Sequence, residues 1–215
     1  MKKEIRIDEL RVMMLDALTL RGIGSEDADF IVDDFLDAEL EGHKTHGVSK
    51  FLTIDIGLSG REGSIEIVSR IGGHAKIDGH RELGHIAARQ AAALSVELAK
   101  EHGVGLVALT NVSRYARLVP YSRLIAERGC IGIVTNNGGP AHVVPFGGSM
   151  PVFGTNPLSF GFPQGKKHFA VGHGGEFGRG VLVRGPVLAD GAAGDPPRSA
   201  LPPVRCSSPC GIRNG

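Results

Sequence analysis

The chain has 215 residues, 41% of them hydrophobic, and 24 Lys and Arg against 23 Asp and Glu leave a formal charge of +1. That is enough apolar matter to fill one large or two small domains, while no apolar run approaches the ~20 residues that span a bilayer and no basic cluster among aromatics marks a nucleic-acid surface. Cys130, Cys206 and Cys210 are too few for a disulfide framework, and no second Cys/His pair completes a zinc site.

Met1-Lys2-Lys3-Glu4 opens on an acidic amphipathic stretch rather than a secretory apolar core, so a cytoplasmic protein with a small-molecule partner is expected, with neither nucleic acid nor membrane. From residue 8 to 20, Leu10, Met13, Met14, Ala17 and Leu18 recur at helical spacing until Gly22 and Gly24. Ser25 is expected to N-cap a second helix, with Glu26, Asp27 and Asp29 in its positive first turn and Phe30, Ile31, Phe35, Leu36 and Leu40 as a buried stripe. A third apolar-periodic run takes in Val48, Phe51, Leu52, Ile54 and Ile56, which places His43-Lys44-Thr45-His46 in the connection or at that helix's start.

Residues 64–70 and 75–77 alternate like strands, 83–102 is an Ala-rich helix, and 104–109 is a buried strand. A helix at 118–128, a strand at 131–135, a Gly/Pro-rich stretch at 137–148 and a short strand around 158–162 follow. The pattern predicts an α+β fold, with a helical N-terminal unit (1–60) packed on a mixed α/β sheet domain (61–171). It is not a Rossmann sheet, because no strand is followed by G-x-G-x-x-G and Gly103-Val104-Gly105 precedes its strand.

Residues 172–215 differ in character: 10 Gly and 6 Pro in 44 residues, with no Lys and no apolar periodicity. Such a composition reads as a disordered tail or as a shifted reading frame in a GC-rich gene. One choice of codons for residues 172–179, read one base later, gives Asp-Met-Ala-Ala-Ser-Ser-Val-Ala.

Several groups could carry chemistry. Thr45 beside His46, with Lys50 four residues on, offers an imidazole that titrates near neutrality and a cation for a carboxylate, or else a capping Thr and a surface His. His43 with His46 lacks a third acidic ligand, so no metal site is expected. Asn136-Asn137-Gly138-Gly139-Pro140 and Pro145-Phe146-Gly147-Gly148 either admit a ligand to backbone N–H groups or are plain turns. Gly154-Thr155-Asn156-Pro157 presents a hydroxyl and an amide ahead of a strand, or is a turn built by Asn-Pro. In Asn111-Val112-Ser113-Arg114-Tyr115-Ala116-Arg117, just past a strand end, Arg114 and Arg117 either meet phosphates or are solvated charges.

In this order the pieces resemble the malate/L-lactate dehydrogenase family over about residues 5–171. The marks are Thr45-His46-Gly47-Val48 (S-H-G-V in the family), Asp78-Gly79, Leu83-Gly84, Gly103-Val104-Gly105, Asn111, Pro145-Phe146-Gly147-Gly148 and Gly154-Thr155-Asn156-Pro157-Leu158. The resemblance implies a non-Rossmann fold, a homodimer, and NAD- or NADP-dependent interconversion of a small 2-hydroxy acid and its 2-keto acid. It implies His46 as proton donor with Thr45 as its relay, Lys50 and Thr155 as substrate contacts, and the stretch Arg114, Tyr115, Ala116 and Arg117 against the cofactor.

Departures accompany it. Lys50 stands where the family has Arg and loses the bidentate fork, Arg114 stands where a His is expected, and Ala116 where a Gly is. Soon after G-T-N-P the family has a strand ending in D-M-A-x-S, which the shifted frame would restore. The expectation is therefore the truncated front two-thirds of a dehydrogenase, poorly stable and inactive alone. The alternatives are a non-catalytic remnant or small-ligand binding module, or a short enzyme whose tail folds over its site.

Overall fold

A computed structural model describes residues 5–62, 64–137, 140–164 and 167–173. Helices α1 (Ile7–Thr19) and α2 (Ser25–Leu40) come first. Met14 and Leu18 of α1 meet Ile31, Val32, Phe35 and Leu36 of α2 in one apolar cluster, and Arg11 reaches across to Asp29 and Asp33. Ser25 is the first residue of α2 rather than its cap; the extended Gly24 holds the cap position and no side chain bonds there. The third apolar run breaks into two short helices, α3 (Val48–Phe51) and α4 (Ile54–Leu58). Phe51 and Ile54 still reach the α1–α2 cluster.

Strand β1 (Glu66–Ile71) pairs antiparallel with β2 (His74–Asp78), and β2 pairs parallel with β3 (Leu106–Thr110) across the crossover helix α5 (Gly84–His102). Gly103, with φ 84°, ends α5 in the left-handed conformation that favours glycine. Gly105 then lets the chain turn flush against the helix, since a Cβ there would lie 1.9 Å from the Ser95 carbonyl oxygen.

Alanines let α5 pack on two sides. Ala91, Leu94 and Leu98 face Ala75 and Ile77 of β2, while Ala92 and Val96 meet Tyr121, Leu124 and Ile125 of α6 (Val119–Glu127). The sheet domain that the pattern predicts holds two sheets. Strands β4 (Gly132–Thr135), β5 (Leu158–Gln164) and β6 (Lys167–His173) form a separate antiparallel sheet under α6. Residue patterning gave no strand at β6, which stands where the resemblance implies one and runs two residues into the stretch read as a tail; the rest of that stretch lies outside the described residues.

A buried strand is expected at β3, yet among the described residues only one of its faces is covered. Val107 and Leu109 turn toward α5, and Leu106 on the other face is 58% exposed. A helix on one side of a sheet buries alternate residues only. Helices with small mixed and antiparallel sheets make the chain α+β.

Candidate functional site

The site grows from the last turn of α2. Gly42, with φ 82°, closes that helix as its N–H donates to the Glu39 carbonyl while the His43 N–H donates to the Ala38 carbonyl, a Schellman ending. The chain then turns once more, the His46 N–H donating to the His43 carbonyl at 2.8 Å. Glu39 anchors the far side: its Oε2 accepts the Val48 N–H at 3.1 Å, a carboxylate at the start of α3. Gly47 lies against that carboxylate with no room for a side chain, since a Cβ would sit 2.2 Å from Glu39 Oε2.

This turn presents Thr45 and His46 to solvent, with Thr45 Oγ1 and His46 Nδ1 3.0 Å apart. Desolvation by the surrounding protein pulls the imidazole below its ordinary value, followed by the positive charges of Arg117, His43 and Lys50. The shift favours the neutral imidazole. When Nδ1–H donates to Thr45, Nε2 is left as a proton acceptor.

The segment after β3 is held from below. Asn111 (φ 54°) donates through Nδ2 to Asp78 Oδ1 at 2.8 Å, the Ser113 N–H donates to the Glu82 carbonyl, and Ser113 Oγ accepts the Gly84 N–H. Arg114 is exposed. Tyr115 packs edge-on against Tyr121, and burial pushes its hydroxyl up to about 12. Ala116 packs on the α1–α2 core.

Arg117 was read as a phosphate contact or a solvated charge, and the structure gives it a different place. It is buried: Nε donates to Asp34 Oδ1 at 2.9 Å, Nη2 to the Asp34 carbonyl at 2.9 Å and Nη1 to Glu41 Oε2 at 2.5 Å. Those carboxylates outbid solvent because they approach it within the protein. The structure thus gathers Thr45, His46, Lys50 and Arg117, whereas Thr155 lies apart in chain terms, half-buried in the loop entering β5. Gly138 and Gly139 lie outside the described residues.

The sequence reading missed Glu39, Asp34, Glu41, His85 and Tyr121. One sign was available: Asp34 and Glu41 are seven residues apart, two turns of one helix face, and Asp34 sits inside the apolar stripe of α2. His85 is buried 5.3 Å from the Phe35 ring with neither nitrogen hydrogen-bonded, and Nε2 lies 3.7 Å from Asp34 Oδ2. Burial lowers His85 to about 4, and burial raises Asp34 to about 6 against the pull of Arg117.

Among the described residues no group of three or more His, Cys, Asp or Glu is placed to hold a metal ion, and no helix is long and apolar enough to cross a membrane. For a dinucleotide the described residues offer one exposed cation, Arg114, past the end of β3. With Tyr115, Ala116 and Arg117 packed inward they do not form a nucleotide cradle by themselves.

Residues 5–171 match the family described as malate/L-lactate dehydrogenase. The chain is 32% identical over 180 residues to the L-sulfolactate dehydrogenase of Methanocaldococcus jannaschii, covering 82% of this chain and 51% of that protein. It is 31% identical over 165 residues to the 2,3-diketo-L-gulonate reductase of Klebsiella pneumoniae, covering 75% and 49%. The solved malate dehydrogenase of Pyrococcus horikoshii superposes with a TM-score of 0.72 at 29% identity, over 80% of this chain and 50% of the other. The chain spans about half the length of the curated relatives it matches, not the two-thirds expected from its motifs.

Proposed function

The chain belongs to the malate/L-lactate dehydrogenase family, and from that premise we propose that it carries the acid–base half of an oxidoreductase site that interconverts a small 2-hydroxy acid and its 2-keto acid. The observation that carries this reading is the exposed Thr45–His46 pair, 3.0 Å apart, on the turn that leads into α3, the short helix that bears Lys50. The imidazole, its neutral form favoured by its surroundings, accepts the hydroxyl proton at Nε2 as a hydroxy acid is oxidised and returns it when a keto acid is reduced. Thr45 Oγ1 accepts from Nδ1–H in the tautomer that leaves Nε2 free to take the proton. Lys50 supplies a positive charge for the substrate carboxylate, as a single ammonium rather than a fork, and Thr155 and Arg114 are proposed as further contacts to substrate and cofactor phosphate.

The hydride carrier, NAD or NADP, and a homodimeric assembly are proposed from the family resemblance. A second reading, a small-ligand binding module without turnover, is favoured by the inward placement of Arg117 and Ala116, which leaves the nucleotide side thin. The experiment is calorimetric titration of the purified chain with L-malate and L-sulfolactate, together with NADH and NADPH oxidation on oxaloacetate. The dehydrogenase reading expects turnover that falls at least about 100-fold in His46→Asn. Acid binding that His46→Asn weakens, without turnover, selects the binding module, and no binding of either acid refutes both.

A further inference from the structure

Arg117 is more than a misplaced surface charge. Asp34, Asp37 and Glu41 lie on one face of the C-terminal half of α2, and two arginines meet that face. Arg117 spans from Asp34 to Glu41, and Arg123 of α6 donates to Asp37 at 2.7 Å and lies 3.8 Å from Glu41. Glu41 is the C-cap of α2, five residues before His46. The turn hangs on the same stretch of helix through Ala38, which accepts the His43 N–H, and Glu39, which accepts the Val48 N–H.

We propose that Arg117 is a positioning residue: by bridging Asp34 and Glu41 across two turns of α2 it holds the helix end from which the Thr45–His46 turn is suspended. The proposal rests on the reading of His46 as the acid–base group, and it deepens that reading with a residue 71 positions later in the chain (117 less 46). Only a guanidinium does this. Three of its N–H groups are used at once, on a carboxylate oxygen, a backbone carbonyl and a second carboxylate, whereas a lysine ammonium at the same place reaches one end of the bridge. The charges that face His46 are those of Arg117, His43 and Lys50, so Arg117→Lys keeps the charge and removes the bridge.

The test uses Arg117→Lys and Glu41→Gln in the full chain, with amide hydrogen exchange and NMR of the His46 ring nitrogens. In Arg117→Lys the amides of His43, His46 and Val48 are expected to exchange at least about tenfold faster, and the Nδ1 signature of the Thr45 contact is expected to be lost. Amides of α5 and β2 keep their protection. Glu41→Gln, which weakens one end of the bridge, moves the same amides less, and it decides the matter if Arg117→Lys does not fold. Unchanged exchange and an unchanged Nδ1 signature overturn the proposal, as does a uniform rise across α5 and β2, the mark of a merely structural residue. Neither readout depends on turnover, so an inactive wild-type chain refutes the proposed activity without touching this result.

Discussion

A methyl group added at Gly47 would lie 2.2 Å from Glu39 Oε2 and 3.2 Å from the Glu39 Cα. The carboxylate end can swing away, but only by giving up the Val48 N–H at the start of α3. Gly47→Ala is therefore expected to cost about 1 kcal/mol, the worth of a lost N-terminal cap, seen as a lower urea midpoint, and to disturb the His46 ring signals; an unchanged midpoint would refute the cap. Exposed His46 carries no such burden, and His46→Asn should leave stability within about 0.5 kcal/mol. Thr45, His46 and Lys50 were readable because their relation is local, one and four residues apart across a turn and the start of α3. Asp34 and His85 were not, and their pH behaviour follows from burial. Raised to about 6, Asp34 adds stability below about pH 4 that is lost as pH climbs to 6. Lowered to about 4, His85 adds stability above about pH 6.5 that is lost as pH falls to 4. The two slopes oppose each other. His85→Leu removes the second, so its urea midpoint relative to that of wild type should rise as pH falls from 7 to 4.5; parallel curves would show that the ring is not buried neutral.

At the scale of elements, helix-to-sheet contact is set by two glycines. A Cβ at Gly161 of β5 would lie 2.0 Å from the Ser122 carbonyl oxygen of α6, and one at Gly105 would meet the Ser95 carbonyl of α5. Backbone cannot swing aside as a side chain can. Gly161→Ala is expected to cost roughly 2–3 kcal/mol, the range for overpacking a tight contact, measured by thermal or urea unfolding, and a loss under about 0.5 kcal/mol would mean that α6 does not ride on β5 at this distance. The helices were legible in the chain: α1, α2, α5 and α6 lie within a residue or two of where their apolar spacing and terminal glycines put them. Sheet membership was not. Strand periodicity tells which residues share a face but not which strand pairs with which, so the division into two sheets was not readable, and β3, rich in Leu and Val, read as buried although Leu106 on one face is exposed.

For the whole molecule, both sheets carry a helix on one face, and on the other Ile71, Leu106 and Ile133 are more than half exposed, with Phe146 fully so in the loop before β5. Apolar surface of this kind binds hydrophobic dyes and promotes association. Leu106→Thr together with Ile133→Thr is expected to lower anilinonaphthalene sulfonate fluorescence by about half while moving stability by no more than about 1 kcal/mol, because each side chain gives up little burial. Equal dye binding would show that these faces are covered in solution. The sequence by itself determined the α+β class, the amphipathic helices, the family and the Thr45–His46 pair. Each of these is written in residues close together in the chain or in the order of short motifs. Tertiary structure alone decided that Arg117 turns inward to Asp34, 83 residues away, that His85 is buried against Phe35 with neither ring nitrogen hydrogen-bonded, and that Glu39 holds the turn carrying Thr45 and His46. Those outcomes depend on which carboxylates packing brings against a charged side chain, and the cost of burying an unpaired charge selects among partners that spacing along the chain does not reveal.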